Sequence, residues 1–484
     1  AIGDSETINL TVTVTPGSNL GPYSNSAKAS GISPSGVTAE DSSDNGSDPE
    51  TNNGSGGVDD ATPITFTEAP AIGTAKLVSN GPINNNDGTY TLTYAIEVKN
   101  TGDSELTDVQ LTDDLATTFN GASFSVDSKS ITGTKLTINN SFNGDSDKNL
   151  LAANQNLLIS ESDTVVITIT VIPGTNLGPY HNVANATGTS IVGTVVNDAS
   201  DAGNNAETDN GSGGVNDPTA VSFNETPAIG IAKTISSAVV NNNDGTYTLT
   251  YAMVVRNNGD IDLHTVQILE DFAATYPSPA TAVVVDIQST DFTVNNGFDG
   301  YSEQGLLAAD QLLATGTSGS LSLTIKITPG TFLGPYNNTA KVNGTSQSGT
   351  VIGDDSDNGI DPNGDNGDGG NDDATPVTFT EAPAIAVAKE ISGAVINNED
   401  GSYSVLYSIV VQNIGDVLLS NVQIVEDLAT TFTGATFTVG TISSNDVNVN
   451  TSFDGDMDTG LLSTNQNLAI NTSAKILVPV TITP

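Results

Sequence analysis

Apolar and polar residues alternate along short stretches of this chain, and the stretches come back. Tyr90-Thr-Leu-Thr-Tyr-Ala-Ile-Glu-Val-Lys returns from Tyr247 and, more loosely, from Tyr403. Period-two alternation puts one face of a strand in a core and the other in water. Val165-Val-Ile-Thr-Ile-Thr-Val and Leu321-Ser-Leu-Thr-Ile-Lys-Ile are strands of the same kind. Thr7-Ile-Asn-Leu-Thr-Val-Thr-Val near the start and Ile476-Leu-Val-Pro-Val-Thr-Ile at the end match them. Turn signals fall between. Asn86-Asp87-Gly88, Asn243-Asp244-Gly245 and Glu399-Asp400-Gly401 mark tight hairpins, because glycine takes positive φ without steric cost. Asn-x-Gly-Asp ends the alternating strand at Asn100–Asp103, Asn257–Asp260 and Asn413–Asp416. Another strand follows at Val109-Gln-Leu, Val266-Gln-Ile and Val422-Gln-Ile. No long stretch reads as helix. The pattern predicts an all-β chain built of antiparallel sandwiches.

The punctuation repeats at domain length. Pro16-Gly17 with Leu20-Gly21-Pro22-Tyr23 returns at Pro173 and Leu177–Tyr180, and again at Pro329 and Leu333–Tyr336. Pro16 to Pro173 is 157 residues and Pro173 to Pro329 is 156. Each unit opens Pro-Ala-Ile-x-x-Ala-Lys, ending on Lys76, Lys233 and Lys389, and closes on Thr62–Phe66, Thr219–Phe223 or Thr375–Phe379. The expected division is 1–66, the C-terminal part of one repeat; 67–224 and 225–380, two complete repeats; and 381–484, the N-terminal part of another. Such repetition predicts a tandem, linear array. The chain opens and closes within a unit, which points to a segment of something longer.

Charge comes next. Asp and Glu number 57 against 12 Lys and Arg, a formal net charge of −45. Such a surface repels nucleic acid and anionic lipid and attracts divalent cations. There is no cysteine, so disulfides and thiolate metal sites are excluded. No apolar run approaches the roughly 20 residues that cross a bilayer as a helix. His181 and His264 have no counterparts in the sister units, and catalytic triads or zinc sites are implausible.

Two acidic patterns are candidate Ca2+ sites. Asp454-Gly-Asp456-Met-Asp458-Thr-Gly460 places carboxylates at alternate positions, so that several oxygens can converge on one hard cation. Its equivalents are Asn143, Asp145 and Asp147, and Asp299 and Glu303, the latter with Tyr301 in the middle position. A merely polar turn is the alternative, since Asp, Asn and Gly form turns by default. The second pattern is a Gly-rich acidic stretch before each closing strand. It carries Asp41, Asp44, Asp48, Glu50 and Asp60 in the first copy, and Asp198, Asp201, Glu207, Asp209 and Asp217 in the second. The third carries Asp354, Asp357, Asp361, Asp365 and Asp373. So many like charges are expected to stay disordered unless a cation neutralises them. Bound Ca2+ would then stiffen the junction between units; a flexible acidic spacer is the alternative.

The repeated lysine is a third candidate. Lys76, Lys233 and Lys389 recur with Asn25, Asn182 and Asn338 late in the unit, and with Asp114, Asp271 and Asp427 between. Lysine, asparagine and a buried acid are the ingredients of a spontaneous isopeptide bond. A lysine snorkelling at a strand end is the plainer reading.

These motifs, from Pro-Ala-Ile-Gly-Ile-Ala-Lys through Asp-Gly-Thr-Tyr-Thr-Leu-Thr-Tyr to Pro-Gly-Thr-Asn-Leu-Gly-Pro-Tyr, resemble the Ig-like bacterial conserved repeat called domain of unknown function eleven. The variety is that of giant surface adhesins exported by gliding and related bacteria. The resemblance covers essentially the whole chain. It implies an Ig-like fold, tandem array and extracellular, cell-surface location, and it brings no catalytic residues. The expected function is structural, a segment of an adhesin or filament. Its partners would be neighbouring repeats or like subunits, end to end, with strand complementation as one version. A glycan- or protein-binding module using loops at the sandwich ends is the competing reading, for which Phe272-Ala-Ala-Thr-Tyr-Pro-Ser-Pro is the one aromatic departure between units.

Overall fold

A computed structural model describes residues 2–49, 59–206, 216–362 and 372–484. The chain is all-β, with helix confined among the described residues to single turns at Leu115–Thr118, Phe272–Thr275 and Leu428–Thr431. It divides into two compact units, Ala1–Glu225 and Thr226–Pro484.

In the first unit, Tyr90–Asn100 lies between Ile72–Asn84 and Ser162–Ile172, and Ser123–Thr132 continues that sheet. Leu106–Asp113, Ala184–Ser190, Val195–Ala199 and Gln155–Leu157 form a second sheet. The small pair Tyr180–Asn182 with Thr219–Val221 closes the sandwich, with Asn182 opposite Thr219. The hairpin at Asn86-Asp87-Gly88 forms as its residues dictate, with Asn86 and Gly88 both at positive φ. Tyr90–Asn100 buries every second side chain along its whole length. Its inward residues Leu92, Tyr94, Ile96 and Val98 meet Val165, Ile167, Ile169 and Val171 in one core. The second unit repeats the plan, with Tyr247–Asn257 between Ile229–Ile235 and Ser318–Thr328 over a core running from Ile229 to Phe379. Residues 381–484 hold a third, smaller core, from Ile409 to Val480.

Two of the expected strands do not form. Thr7–Val14 carries no strand, and Ile8 and Leu10 lie exposed. Val422-Gln-Ile carries no strand and is flanked by isolated bridges at Leu419 and Val425 instead of a ladder. The reason is the same in both places. In the complete repeat Ser162–Ile172 is held between two neighbours, and Leu106–Asp113 is paired with Ala184–Ser190. Those neighbours belong to the other half of a repeat, and a strand without a ladder partner leaves its N–H and C=O groups to water.

The recurrent motifs are backbone clasps. Asn100, fully buried, donates its amide to the carbonyls of Ser104 and Leu157 and accepts from the Gly102 N–H. Asn257 and Asn413 do the same work with Ile261 and Leu313, and with Val417 and Leu468. The aspartate of the motif then accepts from the backbone where the unit begins, Asp103 from Ala69, Asp260 from Thr226 and Asp416 from Ala382. The Pro-Gly…Gly-Pro-Tyr motif is a tyrosine tie. Tyr180 donates to the carbonyls of Pro173 and Asn176 at 3.1 and 2.5 Å, and Tyr336 to those of Pro329 and Phe332, both at 2.6 Å. Its glycine is obligatory, because Gly178 sits at φ +102° and a Cβ there would lie 2.7 Å from the Val221 carbonyl.

Candidate functional site

The alternate-carboxylate loops close on themselves. Asn143 Oδ1 accepts from the N–H of Asp145 and of Asp147, both at 3.0 Å. Asp454 Oδ1 accepts from Asp456 and Asp458 in the same way, at 2.9 and 2.8 Å. Asp147 and Asp458 bind the amides of Asn139 and Asn450, while Asp145 and Asp456 stay exposed. Asp299 accepts the Ser302 hydroxyl and the N–H groups of Tyr301, Ser302 and Glu303. The Ser302 hydroxyl, with those backbone donors, brings its carboxyl down to about 2. Glu303 accepts from Gly305, and Tyr301 turns inward to bond the backbone of Ala282. The loop glycine is pressed onto the one-turn helix. A Cβ on Gly144, Gly300 or Gly455 would strike Leu115, Phe272 or Leu428 at 2.6, 2.2 and 2.7 Å. These oxygens accept the N–H groups of their own turns, as Asp and Asn do in Asx turns.

Where it is described, the acidic stretch lies against its own repeat. Its carboxylates accept backbone N–H groups instead of repelling the chain away. Asp198 accepts from Thr74 and Asp354 from Ile231, which ties the stretch to the lysine-bearing first strand. Asp201–Ala202 and Asp357–Asn358 then run parallel to that strand beside Ala75–Lys76 and Ala232–Lys233. Asp201 accepts from Asn216, Asp217 from Ala202, and Asp357 from Asp372. In the leading copy Asp44 accepts from Asp59 and Asp60 from Asn45, with Asp41 and Asp48 on the exposed surface. Burial pushes Asp198 and Asp354 up, and nearby carboxylates add to it, Asp201 for the first and Asp372, Asp357 and Asp355 for the second. Asp361 is exposed and Asp373 half-buried. Glu50, Glu207, Asp209 and Asp365 lie outside the described residues. Among the described residues no three carboxylate or histidine side chains converge closely enough to hold a metal ion.

The repeated lysine is the most constrained group. Lys76 and Lys233 are completely buried. Lys76 Nζ donates to Asp113 Oδ2 at 2.6 Å and lies 4.5 Å from the centre of the Tyr94 ring. Lys233 Nζ donates to both oxygens of Glu270, at 2.5 and 2.7 Å, and lies 4.4 Å from the Tyr251 ring. The expected acids are corrected here by one position. Strand parity turns Asp113 inward with Leu111 and Val109. Asp114 faces out, where it caps the helical turn and binds Lys148. Asp271 and Asp427 are likewise helix caps, and the buried or half-covered acids are Glu270 and Glu426.

Asn182 and Asn338, fully buried, complete the cluster. Thr219, opposite Asn182, donates its hydroxyl to the Lys76 carbonyl, and Thr375, opposite Asn338, does so to the Lys233 carbonyl. The Asn182 side chain sits beside Asp113 and Tyr94, close enough to favour the ionised form of each. Its Oδ1 accepts from the Thr118 hydroxyl at 3.0 Å, and Asn338 Oδ1 accepts from Thr275 at 2.9 Å. The Nδ2 atoms of both asparagines, and Asp113 Oδ1, have no hydrogen-bond partner among the described residues. Burial pulls Lys76 down, and Lys233 to about 8, while the paired acids oppose it; burial pushes Asp113 up. Lys389 repeats the pair with Glu426 at 2.6 Å over Tyr407, its side chain 34% exposed. Asn25, at the asparagine position of residues 1–66, is exposed.

Phe272 and Tyr276, the aromatic departure of the second repeat, point into its core, where the Tyr276 and Tyr251 hydroxyls meet at 3.0 Å. His181 and His264 are exposed.

No family model matches the chain, and no curated protein does. Solved structures of adhesins and pilins are among those that resemble it. The CupB6 tip adhesin from Pseudomonas aeruginosa is 9% identical, over 60% of this chain and 99% of that one, with a TM-score of 0.27. The major pilin subunit BcpA of Bacillus cereus is 11% identical over 84% of each chain, TM-score 0.22. The full-length major pilin SpaD from Corynebacterium diphtheriae is 12% identical over 66% of this chain and 73% of that one, TM-score 0.21. With overlap this loose, what those proteins do says nothing of this chain.

The one-residue correction has a measurable consequence. Glu270→Ala strands a buried ammonium and costs the second unit about 3–5 kcal/mol. Asp271→Ala removes only a helix cap and costs about 1 kcal/mol. Urea unfolding of the two variants separates them.

Proposed function

We propose that this chain is a structural segment of a bacterial surface adhesin or filament, built of Ig-like repeats of the conserved-repeat family its motifs resemble. The observation that carries the reading is sameness. The asparagine clasp and the tyrosine tie hold backbone in every copy, and both complete repeats bury the same lysine cluster. Side chains spent on closing a sandwich serve a load-bearing unit, and tandem copies extend its reach. The inward-facing Phe272 and Tyr276 give no support to an aromatic recognition loop. Antibody raised against the chain should label intact producing cells; labelling only after permeabilisation contradicts a surface role.

Neighbouring repeats are the proposed partners. Residues 381–484 expose Ile385, Val387 and Val425 beside the Lys389–Glu426 pair. In the complete repeats this face is covered by the segment that residues 1–66 represent. The occupant proposed here is that segment, from an adjoining repeat or from a like subunit by strand complementation. Sedimentation of the 484-residue chain should show concentration-dependent end-to-end association, and a monomer at every concentration contradicts the subunit version.

Ca2+ stiffening belongs to the same proposal. The raised carboxyls of Asp198 and Asp354, each crowded by further aspartates, support a cation at the acidic stretch, and a divalent ion would relieve that crowding. Calorimetric titration should detect Ca2+ binding, and chelation should lower the melting temperature. No heat of binding and an unchanged melt contradict it.

A further inference from the structure

We propose that Lys76 is joined to Asn182, and Lys233 to Asn338, by side-chain amide bonds that form within the folded repeats with loss of ammonia. Each repeat buries the three groups the reaction needs and leaves idle the atom that must depart. Lys76 Nζ is held by Asp113 and walled by the Tyr94 ring. Asn182 lies beside the same acid and the same ring, with its amide nitrogen unpartnered among the described residues. A buried amide that makes no hydrogen bond through its nitrogen is costly and calls for a reason. In the second repeat Tyr251 stands in the same place, its ring facing Lys233 and its hydroxyl beside Asn338, whose nitrogen also has no hydrogen-bond partner among the described residues.

The chemistry balances with what is present. Asp113 takes a proton from Lys76 Nζ, and the neutral amine attacks Cγ of Asn182. The Thr118 hydroxyl, already on Oδ1, stabilises the oxyanion as charge develops there. Asp113 returns that proton to Nδ2 and the Cγ–Nδ2 bond breaks; the second proton of the attacking nitrogen then passes through Asp113 to the departing ammonia, which leaves as ammonium. An amine and a primary amide become a secondary amide and ammonia, with no oxidant or cofactor. Glu270 and Thr275 hold the corresponding places in the second repeat. Burial favours the reaction twice, by making a neutral lysine accessible and by excluding the water that would compete for Cγ. The ion pair alone would satisfy Lys76; it gives no reason for a threonine hydroxyl on Oδ1 and an idle Nδ2 in both copies.

The test is the mass of the intact 484-residue protein under denaturing conditions, followed by tandem mass spectrometry of a digest. The expected result is a chain lighter than its sequence by two ammonia molecules, with linked peptides joining Lys76 to Asn182 and Lys233 to Asn338. Asn182→Ala, which keeps the buried ion pair and so the fold, should lose the first link and retain the second. An unshifted mass in protein whose circular dichroism shows the native β-fold overturns the proposal. So does a lighter chain without Lys–Asn peptides, since ring closure at Asn-Gly sequences also expels ammonia.

Discussion

A charged group sealed inside a β-sandwich is the constraint on which this architecture turns. A bare ammonium in that interior would cost several kcal/mol, and the sandwich offsets the cost with a carboxylate from the opposite sheet and an aromatic face from the adjacent strand. To bring these together, the Lys76 strand must pair with Tyr90–Asn100, the strand Leu106–Asp113 must present its inward end, and Tyr180–Asn182 must close over the top. The cluster thus draws on early, middle and late parts of the repeat at once. It works as a lock on the topology and would be costly to break from any one side.

The remaining motifs serve the same end. The buried asparagine ties a strand end to two carbonyls, the aspartate after it ties down the incoming chain, and the tyrosine tie holds the Gly-Pro turn. Even the acidic stretch contributes, since Asp198 and Asp354 pin it against the lysine strand. The polar residues that repeat are spent on backbone closure, as expected where a module must resist opening. A covalent bond between the first strand and Tyr180–Asn182 would carry that logic to its limit.

Much of this was legible in the sequence. Strict alternation placed Tyr90–Asn100 and Tyr247–Asn257, and the Asp-Gly signals placed their hairpins. What escaped was relational. Thr7–Val14 and Val422–Ile424 have strand composition, but a strand needs a neighbour to ladder with, and composition does not supply one. The invariant aspartates 114, 271 and 427 drew attention away from the acids just before them, although counting inward by twos from Val109 reaches Asp113. The N–H groups that Asn143 and Asp454 accept belong to their own turns, a local pairing that the spacing of the acids does not specify. Thr118 and Thr275 could not be singled out among so many threonines, because their role depends on a turn that brings them over an asparagine distant in sequence.

Mechanical function is tested most directly by pulling one molecule from its ends while recording force and extension. The account predicts that the segments from Lys76 to Asn182 and from Lys233 to Asn338 never add to the extension, so each complete repeat lengthens by far less than its residue count allows. Full lengthening of both repeats at low force would contradict it.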